Sequence, residues 1–112
     1  MIRLRLSLET DGCLSALRAE GHARQGKAGS DLVCAAFTAL VKALFNLLST
    51  ADGIQLEARA EREGIACLRV LSCTPERRSW LKGVTDFFLR GMADLKQDYP
   101  ETITIEVNNT CK

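Results

Sequence analysis

Apolar and polar residues alternate from the start of the chain: Ile2, Leu4, Leu6 and Leu8 are separated by Arg3, Arg5 and Ser7. A period of two places the apolar set on one side of an extended segment and predicts a strand with one buried face. Asp11-Gly12 supplies a turn. The run from Cys13 to Glu20 alternates more weakly, but it leaves that turn directly and predicts the hairpin partner, which ends at Gly21-His22. Between 31 and 50 the pattern changes. DLVCAAFTALVKALFNLLST contains no glycine or proline and is too long for a strand, so it predicts a helix. It is apolar almost all round, which predicts a central buried helix.

Asp52-Gly53 closes that helix. Residues 54–60 and 65–72 alternate again and predict a second hairpin through Glu61-Arg62-Glu63-Gly64. Thr74-Pro75-Glu76 then marks a helix start: a hydroxyl at the N-cap, a proline where no amide hydrogen is needed, and an acid near the positive end of the dipole. Trp80, Leu81, Val84, Phe87, Phe88, Met92 and Leu95 give that helix one apolar face, and Pro100 ends it. Thr102 to Val107 predicts a last strand with Ile103, Ile105 and Val107 inward. The order ββαββαβ implies an α+β fold, a mostly antiparallel sheet with two helices packed on it. At 112 residues there is material for one domain, residues 1–112.

Composition sharpens this picture in three ways. A hydrophobic share of 46% against 26% charged residues supplies enough apolar surface to offset chain entropy, so the chain is expected to fold. Fifteen basic against fourteen acidic residues leave a formal charge of +1, so no overall field draws nucleic acid or an anionic membrane, and any polyanion contact must come from a local patch. The N-terminal MIRLRLSLE lacks the apolar core of a signal peptide, and no run approaches about 18 apolar residues without a polar break. The expectation is a cytoplasmic protein with neither a membrane nor a direct nucleic-acid partner. Five cysteines, at 13, 34, 67, 73 and 111, include no C-x-x-C pair and predict reduced thiols serving as small apolar residues.

One stretch carries candidate chemistry. EGHARQGKAGSDLVCAA, residues 20 to 36, puts the chain's single histidine, His22, at a strand end and Cys34 inside the long helix, with a glycine-rich basic loop between. Asp31, Cys34, Thr38, Lys42, Asn46 and Ser49 share a stripe about 120° wide on that helix at about 100° per residue. With Asp31 as N-cap, Cys34 would stand at N3, where its amide can donate to the carboxylate and the positive helix end favours a thiolate. The Asp31 carboxylate opposes that effect, and the balance stays open. The loop is long enough to bring the two elements together, making His22 a base able to activate the Cys34 thiol. The bland alternative is a structural thiol and an unrelated histidine.

Gly21-His22-Ala23, followed by Gly29-x-Asp31-Leu32-Val33-Cys34-Ala35-Ala36, resembles the signature of the ribosomal-processing cysteine protease family, Prp; the chain length and the His-to-Cys interval agree along the whole sequence. The resemblance implies a cysteine endopeptidase with Cys34 as nucleophile, His22 as general base, and Asp31 and Thr38 in supporting roles. It implies that Ala23, Arg24, Gln25, Gly26, Lys27, Ala28, Gly29 and Ser30 form a mobile cover over the substrate, and that the protein is a homodimer using no cofactor. The implied substrate is the N-terminal extension of a large-subunit ribosomal protein. Arg24-Gln25 and Phe37 depart from the family pattern.

Two other classes compete. A ribosome- or RNA-associated binding module would use Arg3, Arg5, Arg24 and Lys27 as a basic patch, but aromatic residues make up only 5% of the chain, few for base stacking. A metal site would need His22, Cys34 and a remote cysteine such as Cys67, and one histidine without paired cysteine spacing argues against it. Cys13, Cys67, Cys73 and Cys111 are expected to be structural or merely exposed.

Overall fold

The alternating segments pair into one five-stranded sheet in the computed structural model, which describes the backbone of residues 1–21, 28–62 and 64–109 and the side chains of 1–21, 32–60 and 64–109. The elements are β1 (Ile2–Leu8), β2 (Leu14–Glu20), α1 (Ala28–Ser49), β3 (Ile54–Arg62), β4 (Ile65–Cys73), α2 (Arg78–Asp98) and β5 (Ile103–Asn109), with a short 3₁₀ turn at Pro75–Arg77 before α2. The sheet order is β3-β4-β2-β1-β5. Every neighbouring pair is antiparallel except β1 with β5. The expected ββαββαβ order and α+β class are what the chain adopts.

Register follows the period-two pattern. Leu4 sits opposite Ala19 and Leu6 opposite Leu17, and Ala19 and Leu17 in turn face Ala66 and Leu68. One face of the sheet is thereby apolar, and both helices cover it: Ile2, Leu4, Leu6, Leu17, Leu68 and Ile103 join Val33, Phe37, Leu44 and Leu48 of α1 and Leu81, Phe88 and Met92 of α2 in one buried cluster. Burying a single leucine of this kind contributes on the order of 1.5–3 kcal/mol, so the alternation of side chains is what holds the register.

Three expectations are corrected. First, α1 is not buried all round: Leu32, Ala36, Ala39, Ala43 and Leu47 are all exposed. Two helices on one sheet face can each bury only the stripe that meets the sheet, and α1 turns Val33, Phe37, Leu44 and Leu48 inward. Leu32–Ser49 is long and apolar enough to cross a membrane by length and composition, yet that inward stripe is packed as in a core helix. Second, Phe87 is 75% exposed, because the stripe that meets the sheet is Leu81, Thr85, Phe88 and Met92 and excludes it. Third, Val107 is exposed and Ile105 half-buried, since β5 is an edge strand that α2 covers only at its start, where the Lys96 ammonium donates to the Ile103 carbonyl at 2.7 Å.

The helix boundaries also move. Thr74 does stand before Pro75 in an extended conformation, but its hydroxyl makes no capping bond; the first turn is 3₁₀, closed by the Arg77 amide on the Thr74 carbonyl at 3.0 Å. The strands run slightly longer than expected, with β3 reaching Arg62, β4 reaching Cys73 and β5 reaching Asn109.

At the end of the sheet opposite Gly21, the β1–β2 turn is fastened to α2. The Arg78 guanidinium grips the Asp11 carboxylate with two bonds of 2.8 Å. Asp11 also accepts the Cys13 amide, and the buried Cys13 thiol donates to the Arg78 carbonyl at 3.2 Å. One residue on, the Leu14 amide donates to the Thr85 hydroxyl at 3.0 Å, which itself donates to the Leu81 carbonyl at 2.7 Å. Thr85 is the one fully buried polar side chain among the described residues, and both roles of its hydroxyl are used.

Candidate active site

The helical period gives α1 three faces. The core stripe is one and the bare stripe of Leu32, Ala36, Ala39, Ala43 and Leu47 another. The third carries Cys34, Thr38 and Lys42 at successive steps of four, one turn above the next. This third face forms one side of a groove of about 560 Å³. The opposite side is built from the end of β2 (Ala19, Glu20, Gly21), the start of β4 (Gly64, Ile65, Ala66) and Ala60 of β3. Cys34 is half-buried there, and Thr38 and Lys42 are exposed.

Two features hold the β2 end against this groove. The Gly21 amide donates to the Gly64 carbonyl at 2.9 Å, which ties the exit of β2 to the β3–β4 turn. Gly21 also adopts φ +108°, and a Cβ there would run into the Met1 carbonyl. Only glycine fits this position, both by dihedral angle and by space. The chain therefore leaves the sheet at a fixed point beside the groove, and His22 is the next residue in sequence.

The groove is lined mainly by Phe37, Val41, Ile65 and small alanines. The Glu20 carboxylate is occupied elsewhere, in ion pairs with Arg3 at 3.5 Å and Arg18 at 3.2 Å. Among the described residues, Lys42 is thus the charged side chain left at the rim. An apolar trough bordered by an edge strand and carrying one accessible thiol suits an extended peptide segment: strand edges supply main-chain partners and the trough receives side chains.

The described cysteines differ sharply. Cys13 is sealed under α2, where burial pushes its thiol up to about 11. Cys67 and Cys73 are half-buried on β4, outside the Cys34 groove. Cys34 alone among them faces that trough. Among the described residues no three His, Cys, Asp or Glu side chains come together to hold a metal ion.

The structure moves Cys34 within its helix. Because α1 begins at Ala28, Asp31 is inside the helix instead of capping it, and Cys34 is its seventh residue instead of N3. Alanine at 28 and the absence of proline allow the helix to wind one turn earlier than the Asp31 signal suggests. Two consequences follow. The Cys34 amide lies beyond the free amides of the first turn, and the helix-end charge acts within that turn. Ala28, Gly29 and Ser30 of the expected covering loop are likewise helical. His22, Ala23, Arg24, Gln25, Gly26 and Lys27 lie outside the described residues, as does the Asp31 side chain.

Thr38 lies one turn from Cys34 along the groove. Local patterning does not reveal the facing wall of Ala60, Gly64, Ile65 and Ala66, because it is created by β2–β4 and β3–β4 pairing between distant segments.

A small α+β scaffold with a groove-facing thiol on its first helix is the framework of a cysteine hydrolase. The chain belongs to the family described as cysteine protease Prp, whose model matches residues 1–104, and it is a cysteine protease. No curated protein matches it. Among solved structures it is similar to SMU.848 from Streptococcus mutans, with 27% identity, a TM-score of 0.80, and coverage of 98% of this chain and 96% of that one. It shares the fold of the essential ribosomal processing protease Prp from S. aureus in complex with a covalently linked product peptide, at 18% identity and a TM-score of 0.78 over 96% of this chain and all of that one. The same S. aureus protease in complex with a substrate peptide matches at 17% identity and a TM-score of 0.78, again over 96% of this chain and 100% of that one.

Proposed function

We propose that this chain is a cytoplasmic endopeptidase that removes the N-terminal extension of a bacterial large-subunit ribosomal protein, with Cys34 as nucleophile and His22 as general base. The observation that carries the reading is the placement of Cys34 in a trough whose other wall ends at Gly21, the residue directly before His22. The S. aureus family member named as a ribosomal processing protease supplies the substrate class.

The extended substrate lies in the groove beside the β3 edge, with apolar side chains over Phe37, Val41 and Ile65. His22 takes the thiol proton, the Cys34 sulfur adds to the scissile carbonyl, and the resulting oxyanion is met by a donor other than the Cys34 amide. Collapse of the tetrahedral adduct breaks the C–N bond as His22 protonates the departing amine. Water, deprotonated by the same imidazole, then releases the acyl group and restores the thiol. Thr38, one turn from Cys34 on α1, and Asp31, which precedes it in the same helix, take supporting roles. As the family resemblance implies, the segment Ala23 to Lys27 is assigned to substrate contact.

The bare stripe on α1 supports a homodimer. Leu32, Ala36, Ala39, Ala43 and Leu47 are exposed and repeat at three- and four-residue steps, with small residues in the middle that permit close approach of a second helix. A dimer would place this stripe against its copy, and sedimentation of a Leu47→Glu variant as a monomer would support that arrangement.

The test is incubation with an N-terminally extended large-subunit ribosomal protein, followed by mass measurement of both products. A single cut that releases the extension, lost in Cys34→Ala and in His22→Gln, is the expected result. Full turnover by Cys34→Ala would overturn the assignment.

A further inference from the structure

The groove beside Cys34 continues along α1, away from the thiol. Val41, Lys42, Ala60 and Ala66 line it, and the same four residues line a second hollow of about 310 Å³. The two are therefore connected. Phe45 of α1 and Ala58 of β3 belong to the second hollow and not to the first. Phe45 follows Cys34 by eleven positions, which at about 100° per residue returns it to the Cys34 face of the helix three turns on.

The sequence of β3 explains the hollow. Alternate residues of a strand share a face, and on the side of the core these are Ile54, Leu56, Ala58 and Ala60. Ile54 is buried and Leu56 packs against the core, whereas Ala58 and Ala60 are exposed. On β4 their partners are Leu68 and Ala66. The change from branched side chains to methyl groups leaves open volume beside α1, floored by the buried Leu17, Leu44 and Leu68. Phe45, across this gap, stays 40% exposed. An apolar concavity that opens into a peptide groove has the form of a side-chain receptor.

We propose that this hollow is a specificity subsite, remote from the scissile bond, that takes one large apolar side chain of the peptide cut at Cys34. The subsite rests on the protease reading of the Cys34 groove and adds to it the residues that select the peptide, Phe45 and Ala58. Its occupant is the substrate itself, because the hollow is continuous with the groove that holds the cut. At about 1.5 Å per residue Phe45 lies roughly 16 Å from Cys34 along α1. An extended peptide advances about 3.3 Å per residue, so the selected side chain is about five residues from the cut. Lys42 borders the passage between the two hollows, and a lysine or arginine at that peptide position meets its like charge as well as an apolar floor.

The test uses labelled peptides spanning the cut in the extended ribosomal protein, in which each position about three to seven residues away, on either side, carries leucine or alanine in turn. Affinity is read by fluorescence anisotropy on the full-length Cys34→Ala chain, which holds the peptide uncut, and kcat/KM on the parent. One position, about five residues from the cut, should favour leucine over alanine by about tenfold, with the difference in KM and not in kcat. Filling the hollow in Ala58→Leu should bring that ratio to about one, and removing its wall in Phe45→Ala should lower it severalfold. Melting curves confirm that each variant is folded, and either variant suffices. Equal affinity for leucine and alanine at every position, or a preference untouched by the folded variants, would overturn the proposal. Cleavage without such a preference removes only the subsite. A leucine preference on the Cys34→Ala chain without cleavage by the parent removes the protease reading and leaves the hollow as a peptide site.

Discussion

Two cysteines at opposite ends of the same sheet have had their chemistry divided by packing. Cys13 sits under α2, its thiol hydrogen committed to the Arg78 carbonyl and its amide to Asp11, with burial holding it protonated up to about 11. Cys34 lies half-buried along a trough that a peptide can enter. The residue type is identical and the fold decides its use. Where a thiol is enclosed by a helix and its partners are all satisfied, it becomes a small packing residue; where it is left on the rim of an apolar groove, it is available as a nucleophile.

Exchanging the two thiols in turn is the strongest test of this contrast. Cys34→Ala should reduce peptide cleavage by about 10³-fold or more while leaving the melting temperature near that of the parent, because the side chain contributes little to the core. Cys13→Ala should do the reverse. Limited alkylation with mass mapping should modify Cys34 before Cys13. Preferential labelling of Cys13 in the folded chain would break the comparison.

Next in size is Gly21→Ala, which attacks the active-site end through its backbone. The positive φ costs a non-glycine residue on the order of 1–3 kcal/mol, and the new methyl group must also displace the Met1 carbonyl. Unfolding in urea should show a loss of at least about 2 kcal/mol. Cleavage should fall further than the lost folded fraction explains, since the displaced segment leads straight into His22. A variant as stable and active as the parent would show that the exit of β2 is not fixed in this way.

These two ends were unequally legible in the sequence. Strict alternation in Ile2–Leu8 and the proline at 75 marked strands and a helix start because each signal is local. That Gly21 and Cys34 are near one another was legible for the same reason: both lie within a single stretch of chain. What the pattern could not contain were relations between distant segments. The groove wall from Gly64 to Ala66 and the Asp11–Arg78–Cys13 fastening both arise from pairing or docking across the fold. The apolar wealth of α1 misled for a physical reason as well. It suggested burial on every side, whereas one stripe faces the sheet, one faces the groove and one is bare.

At the other end of the sheet, the Cys13 region predicts an alkaline weakness. A thiol that ionises near 11 when folded, against a usual 9.0, leaves the unfolded chain the weaker proton binder between those values. Stability from this group is complete below pH 9 and declines as pH rises towards 11, by on the order of 2 kcal/mol. Denaturant unfolding at pH 8 and pH 10.5 should show that fall in the parent and a smaller one in Cys13→Ala, whose own cost at pH 8 should be about 1–2 kcal/mol. Equal pH dependence in the two proteins would place the titration elsewhere.

The smallest expected effect belongs to Asp11, although it makes the most bonds in this region. Its carboxylate is held below the usual 3.8 by the Arg78 guanidinium first and the Cys13 amide second. The pair is substantially exposed, at 33% and 44% for its two side chains, so solvent screens most of its Coulombic gain, and the expected contribution is about 0.5–1 kcal/mol. Asp11→Asn keeps an oxygen for the Cys13 amide and removes only the charge. With the folded carboxyl depressed, the unfolded chain takes up its proton first as pH falls. The stabilisation is therefore present above pH 4 and disappears as pH drops through the folded value. The stability difference between the parent and Asp11→Asn should hold steady from pH 7 to 5 and close by pH 2.5. A difference that persists undiminished at pH 2.5 would show that Asp11 acts through its hydrogen bonds alone, and that the turn over Cys13 is held by geometry with no help from charge.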